Sequence, residues 1–368
     1  MIDTIRIVSP YLTEQVADRI EKVARIRMGI DLELDAVLYT ITTKELKGSW
    51  DSSISVQVKR EKFRTDDRGI PYLSECEPYV IIEASIHKLV FGHNCFLGWD
   101  NFQESAKYLV EFTSKALEVK LPDYTRFEVH RIDVSENYDL GSKEAVYEWF
   151  RIMKLKKYPR RKPNTYYDNG LYFPGTSTTW KAYAKGDDFK KHDHKRIRLN
   201  KSKDIADKIL KISYNIIRFE IEIRLKKLRY DLDKKIIYVT DIEDDYLKEL
   251  FEKENMKIIR EGEDVKIVNQ TYDVKNRLIA SVSNRKARTL LGTWMQFSTL
   301  GEEMTKETMC KATYYKHRKQ LVDLGISWVG TDISINETNV LPIDFQPTIN
   351  SKYRLTYEKG LVLQKLVG

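Results

Sequence analysis

Six stretches of the chain have the apolar and polar order of β-strands: 3–8 (DTIRIV), 53–59 (SISVQVK), 78–85 (PYVIIEAS), 126–134 (RFEVHRIDV), 178–185 (TTWKAYAK) and 216–224 (IIRFEIEIR). Most alternate with the two-residue period that sends successive side chains to opposite faces. Two stretches instead repeat every three to four residues and predict helices. One is 101–121, with Phe102, Ala106, Leu109, Val110 and Phe112 in helical register; the other is 142–155, behind Ser142 as N-cap with Glu144 following. Prolines 159, 163 and 174 and glycines 170 and 175 predict loop or hairpin between 156 and 177. Strands in runs separated by two helices predict an α+β fold, with a central, largely antiparallel sheet and helices on one face.

After about residue 230 the pattern becomes helical and charged, through 244–265 and 275–301. The stretch 305–326 (TKETMCKATYYKHRKQLVDLGI) predicts a Thr305 cap, a break near Ala312–Thr313 and a Tyr/Lys/His/Arg-rich helix closed by Gly325, compatible with a helix-turn-helix. A chain of 368 residues is long for one core. The expected division is a catalytic domain over 1–230, a helical connector over 231–264 and a helical C-terminal domain over 265–368.

No run of about 18 apolar residues predicts a membrane span, and the start alternates like a strand instead of carrying a signal peptide's apolar block. Cys76, Cys95 and Cys310 are too few and scattered for a disulfide framework or a metal knuckle, so a reducing cytosol is the simplest compartment.

Charge changes the picture once it is located. The net charge is +8, yet residues 154–203 alone hold fifteen Lys/Arg against four Asp. The remainder of the chain is therefore slightly acidic. Within that segment Tyr158, Tyr166, Tyr167, Tyr172, Phe173 and Trp180 interleave with the cations, the combination that phosphate neutralisation and base stacking require. Lys156, Lys157, Arg160, Arg161, Lys162, Lys190, Lys191, Arg196 and Arg198 are the candidate DNA contacts. The competing reading is a solvated lysine-rich loop.

Strands place charges at wet edges, so carboxylates within apolar strands call for a reason. Glu83 ends YVIIEAS, Asp133 lies in VHRIDV, and Glu220 lies in IIRFEIEI with Glu222 on the same face. Parity puts Arg131 with Asp133, and Arg218, Glu220, Glu222 and Arg224 together. If the strands are neighbours these carboxylates converge, and such hard oxygens suit Mg²⁺ or Mn²⁺ rather than zinc. The alternative is a set of ion-pair ladders on a wet sheet face. His93, between Gly92 and Asn94, marks a tight backbone site after the Glu83 strand. His192 and His194 in the lysine-rich turn carry less weight as metal ligands. Thr179, Lys181, Tyr183 and Lys185 share one strand face, which sets a phenol between two ammonium groups.

Five blocks in order, MIDTIRI at the start, IIEASIHKLVFGHNCF (81–96), HRIDVSENYD (130–139), KAYAK (181–185) and IRFEIEIRLKKL (217–228), resemble the replication initiation endonucleases of the filamentous-phage gene II and gene X family. The resemblance covers the N-terminal two thirds. It implies a rolling-circle initiator, phage- or plasmid-borne, that nicks and rejoins one strand of single-stranded or supercoiled origin DNA, with host helicase and polymerase as further partners. Carried over by position, Tyr183 is the nucleophile that becomes joined to the 5′ phosphate, Lys185 assists it, and Glu83, Asp133 and Glu220 hold the metal, with His93, Arg131 and Lys181 as accessories. The paired histidine metal motif of the broader superfamily is missing. A phenol with a pKa near 10 needs a cation or a base to attack at neutral pH, which agrees with this setting. The alternative function is a non-enzymatic DNA-binding regulator of replication or transcription; a water-using nuclease is a third.

Overall fold

The computed structural model describes all residues except 23–24, 32–35, 48–52, 67, 69, 154–160, 162–168, 261–267, 329–330, 334–340, 343 and 368. The strands are β1 (Ile2–Val8), β2 (Arg25–Asp31), β3 (Ala36–Lys47), β4 (Ser53–Thr65), β5 (Pro71–Ser85), β6 (Glu128–Asp139), β7 (Gly170–Phe173), β8 (Thr178–Ala184) and β9 (Ile216–Arg224). Among the described residues these nine strands form one sheet in the order β2-β3-β4-β5-β1-β6-β9-β8-β7. Every pairing in it is antiparallel. The helices are α1 (Glu14–Lys22), α2 (Ile86–Phe91), α3 (Phe102–Leu117), α4 (Lys143–Met153), α5 (Lys185–His192), α6 (His194–Asn200), α7 (Lys203–Ser213), α8 (Leu225–Leu232), α9 (Asp244–Arg260), α10 (Thr271–Ser281), α11 (Asn284–Glu307), α12 (Lys311–Asp323) and α13 (Tyr357–Val367). The fold is α+β, as the pattern of elements predicts.

Alternation gives the sheet two unlike faces. Val80 and Ile82 of β5, Ile5 and Ile7 of β1, Ile132 and Val134 of β6, Phe219 and Ile221 of β9 and Trp180 and Ala182 of β8 are all buried in one cluster with residues of α1, α3, α4 and α9. Burying such side chains stabilises the fold by roughly 1.5–3 kcal/mol each. Phe219 is its aromatic centre, with the rings of Tyr138, Trp149 and Trp180 at 5.4, 4.9 and 5.6 Å and steep interplanar angles. Trp180, which cannot be buried with an idle N–H, donates to Asn255 Oδ1 at 2.7 Å.

The opposite face is polar and is closed only at one end. There α2, the loop after it, α5–α7 and α13 pack Phe96, Leu97, Phe189, Ile197, Ile209, Leu355 and Val367 into a second cluster. Caps fix the helices: Asn101 Oδ1 accepts from Glu104 N at 2.8 Å, Ser142 Oγ from Ala145 N at 3.1 Å and Ser202 Oγ from Ile205 N at 3.1 Å. Gly92 ends α2 with φ 80°, a left-handed conformation that suits glycine.

The expected boundaries at 230 and 265 cut across the packing. Ile237, Val239, Ile242, Leu247 and Phe251 belong to the first cluster, because α9 lays its apolar side on β6. The C-terminal segment also returns: Leu355 N donates to Asn137 O at 2.8 Å, Asp139 N donates to Tyr353 O at 2.9 Å, and Phe345 joins the first cluster. Only the stretch between has a core of its own, where Leu278, Leu290, Trp294, Phe297, Tyr314, Leu321 and Trp328 pack together. Its helix break lies at Thr308–Cys310 rather than at Ala312–Thr313, and Thr305, expected as a cap, lies inside α11, while Cys310 is the N-cap position of α12.

Candidate active site

Strand pairing assembles the polar face from residues far apart in sequence. Asp133 of β6 stands opposite Glu222 of β9, Ser135 opposite Glu220 and Asn137 opposite Arg218. On the other side of β9, Thr179, Lys181 and Tyr183 of β8 stand opposite Glu222, Glu220 and Arg218. Arg6 of β1 lies between Glu83 of β5 and Arg131 of β6. The neighbours that parity demanded are therefore in place, and the carboxylates on β5, β6 and β9 share one surface.

Cations stand between those carboxylates. Arg131 clamps Asp133 through Nε and Nη2 at 2.7 and 2.5 Å and also reaches Glu83 at 3.3 Å and Glu222 at 3.5 Å. Lys181 Nζ lies 2.8 Å from Glu220 Oε1 and 3.2 Å from Glu222 Oε2. Arg224 completes the row, 2.7 Å from Glu222. Burial would strip the charge from Lys181, but Glu220, Asp133 and Glu222 outweigh it and raise its pKa. Asp133 is pushed up to about 8, by burial first and then by the Glu220 charge, against the pull of Arg131. Among the described residues no group of three or more His, Cys, Asp or Glu side chains is placed to hold a metal ion. The oxygens of Glu83, Asp133 and Glu220 are of the hard type that Mg²⁺ or Mn²⁺ takes, but in this arrangement arginine and lysine nitrogens occupy them, so the set does not fit a metal as it stands.

Tyr183 is half-buried, and its hydroxyl donates to Glu220 Oε2 at 2.9 Å. Burial pushes the phenol well above its ordinary pKa, Arg218 opposes this and Glu220 adds to it. It opens into a cavity of about 390 Å³ whose lining includes Tyr172, Lys181, Asp188, Lys191 and His192. Behind it, Arg218 is fully buried, with Asp3 Oδ2 at 2.7 Å and the Asn94 carbonyl at 3.0 Å. Asp3 reaches this face because the β1–β6 register slips between Ile2 and Ile5. It accepts further hydrogen bonds from Ser85 Oγ and Asn94 Nδ2 at 2.8 and 3.2 Å. Burial alone would raise Asp3, but Arg218, His87 and Ser85 outweigh it and hold the carboxyl well below the usual range. Sequence reasoning passed over Asp3, although it carries the same signal as Glu83, a carboxylate within an apolar strand.

Lys185 departs from its expected place. The strand stops at Ala184 and α5 begins, so its ammonium turns inward, fully buried, 2.5 Å from Asp188 and 5.6 Å from the centre of the Tyr183 ring. His93 is also apart from the carboxylates. It is buried beside Phe96 and Phe189, Nε2 meets Gln364 Oε1 at 2.9 Å, and desolvation lowers its pKa to about 4. His192 and His194 diverge, toward Asp188 at 4.0 Å and Asp207 at 2.8 Å.

The basic segment splits. Lys156, Lys157, Arg160 and Lys162 lie outside the described residues. Arg161 turns inward to the Phe173 carbonyl and Thr178 Oγ1, and Arg196 ties Asp193 and the Gly92 carbonyl at 2.8 and 2.7 Å. Lys190, Lys191 and Arg198 are exposed on α5 and α6. The predicted charged turn after Ala184 is in fact three short helices. The apolar residues of α5 and α6, Phe189 and Ile197, are too far apart to show a period in a short window, whereas α7 repeats Ile205, Ala206, Ile209 and Leu210 at helical spacing.

Residues 1–243 match the family described as the N-terminal part of a replication-associated protein, the phage gene II product. The chain belongs to this family. It is also 23% identical over 356 residues to the replication-associated protein of the same gene II kind from Enterobacteria phage I2-2, an alignment covering 93% of this chain and 92% of the phage protein. The family match ends just after Ile242, which closes the 3₁₀ turn leading into α9. It contains the whole sheet and every residue of the polar face described above. Among the described residues no helix is long and apolar enough to cross a membrane.

Proposed function

We propose that this member of the gene II family initiates rolling-circle replication by nicking one strand of origin DNA through Tyr183 and later rejoining it. The observation that carries the proposal is the Tyr183–Glu220 hydrogen bond at the mouth of a cavity flanked by Lys181 and Lys191. Because burial raises the phenol's pKa, the nucleophile is not a standing phenolate, and attack needs a base. Burial would raise Glu220 as well, but Lys181 and Arg218 outweigh it and hold that carboxyl below its ordinary value, ionised and able to accept.

In the proposed step Tyr183 Oη attacks the scissile phosphorus and its proton passes to Glu220 Oε2. The bond from phosphorus to O3′ breaks, and O3′ leaves as a free hydroxyl after taking a proton from solvent. Lys181 stands where its ammonium meets negative charge growing on the phosphoryl oxygens. A phenolate leaves more readily than an alkoxide, so attack by the 3′ hydroxyl on the phosphotyrosine restores the strand. Lys190, Lys191 and Arg198 are proposed to hold the flanking phosphates, with polymerase and helicase of the host acting on the exposed 3′ end. Lys185 enters as a positioning residue beneath the Tyr183 ring. A Mg²⁺ or Mn²⁺ ion belongs to the proposal only by displacing Arg131 or Lys181 from Glu83, Asp133 and Glu220, and the step above is carried by side chains alone.

The test is covalent capture. Wild-type protein incubated with a single-stranded oligonucleotide spanning the replicon's nick site should yield protein-linked DNA that survives denaturation. Tyr183→Phe should give none while retaining DNA binding. Adduct formation by Tyr183→Phe at the wild-type rate would sink the assignment.

A further inference from the structure

The nicking chemistry leaves α10–α12 without a role, although this unit has its own core and a surface unlike the rest. In α12, Tyr314 and Leu321 face inward and are buried, while Lys311, Tyr315, Lys316 and Lys319 are exposed. Positions 311, 315 and 319 recur every fourth residue and therefore share one face. Between Lys311 and Val322 the helix carries no acidic residue. Among the described residues none of Lys286, Lys311, Lys316 or Lys319 has an ion-pair partner. Lys286 of α11 joins them: the two charges that depress His317, after burial, are Lys316 and Lys286. Unpaired like charges gathered on a folded surface repel one another unless an anion lies among them.

The direction of α12 is fixed from within. Gly301 breaks α11 with φ 81°, and the next residue, Glu302, accepts from Tyr314 Oη at 2.9 Å, Arg318 Nε at 2.8 Å and Trp328 Nε1 at 3.2 Å. Tyr314 and Arg318 are one turn apart on the inner side, so this clamp sets which side of α12 faces out. The three residues Thr308–Cys310 then separate the end of α11 from the start of α12, the connection of a helix-turn-helix.

We propose that α10–α12 bind double-stranded DNA beside the nick site, with α12 in the major groove. A convex helix about 10–12 Å wide matches a groove about 12 Å wide. Single strands instead need a concave path with several stacking rings, and α12 exposes one aromatic, Tyr315. On α12 itself Tyr315 is the one large apolar side chain that is exposed, so this helix offers no apolar stripe to a membrane or a partner helix. Lys311 to Lys319 span about 12 Å of helix, enough to meet phosphates along the groove wall. This assignment rests on the replication role proposed above, and the two can fail separately.

The experiment compares wild type, the triple variant Lys311→Ala/Lys316→Ala/Lys319→Ala and the triple variant with arginine at the same positions. Each is measured in the full chain for binding to a duplex carrying the nick site, for binding to the single strand of the same sequence, and for single-strand adduct formation through Tyr183. The alanine variant should bind duplex at least about tenfold more weakly near 0.15 M salt, with the slope of log affinity against log salt shallower by about 2–3. Its single-strand binding and adduct formation should be unchanged, and the arginine variant should bind duplex like wild type. Unchanged duplex affinity and slope in the alanine variant, or an equal loss on single strands, overturns the assignment of α12. Loss of the adduct in wild type with duplex binding intact would overturn only the nicking role.

Discussion

Replacing Glu220 by glutamine separates chemistry from stability at this site. The change keeps the side chain's shape and removes the charge that accepts the Tyr183 proton. Two cations touch Glu220, and neither is stranded by its loss: Lys181 retains Glu222 at 3.2 Å, and Arg218 retains Asp3 at 2.7 Å. A stranded buried charge would cost about 3–5 kcal/mol. Here the expected cost is nearer ~1–2 kcal/mol, the weakening of charge-assisted hydrogen bonds that glutamine still makes in neutral form. That is well inside the roughly 5–15 kcal/mol margin of a folded domain. The rate should suffer more. General-base assistance contributes about 10²–10⁴-fold, equivalent to roughly 3–5 kcal/mol of barrier. Single-turnover cleavage of a nick-site oligonucleotide, with urea unfolding of the same preparation, measures both. Glu220→Gln that is folded and cleaves within about threefold of wild type refutes Glu220 as the base.

Asp3→Asn should destabilise the fold by about 3 kcal/mol in urea melts, because fully buried Arg218 loses its close carboxylate at 2.7 Å and keeps only the longer contact to Glu220 at 3.7 Å; Asp3→Asn with Arg218→Met should recover much of the loss. Acid should weaken the fold through two neutral histidines. His87 and His93 take up protons near pH 6.5 in the unfolded chain, but only near 3 and 4 in the fold, where burial opposes charging. The unfolded state thus binds more protons across that window, so stability falls as pH drops from about 6.5 toward 4. Replacing His93 by glutamine should flatten the fall measured by urea midpoints, and an unchanged slope would contradict this reading. Chelator added to the cleavage assay should leave the adduct intact if the step runs on side chains alone; loss of the adduct with recovery on adding back Mg²⁺ or Mn²⁺ would show that an ion displaces Arg131 or Lys181 from the carboxylates.

The sheet was legible in the sequence where strands are long and two-faced. IIRFEIEIR shows its parity at a glance, and β9 has the predicted bounds. β7, four residues long, is too short to show a period, and the ribbon of β2 and β3 went unread. For the site, parity found the shared polar face, but parity cannot say whether carboxylates meet each other or meet cations. That depended on Arg131 and Lys181, whose long side chains reach across strands. It also depended on a register slip in β1 that no alternation rule contains.

The returning C-terminal segment bears on how the protein can be divided. The family match stops at residue 243, yet the strand bearing Asp133 ends under Tyr353 and Leu355, and His93 is held by Gln364 of the last helix. The stretch that the family match covers is therefore smaller than the unit that folds, although the alignment to the phage I2-2 protein runs over 93% of the chain. A fragment cut at the family boundary would expose the surfaces that Phe345 and Val367 cover in the two clusters, whereas excising 268–328 and joining the ends would leave those two cores with all their parts.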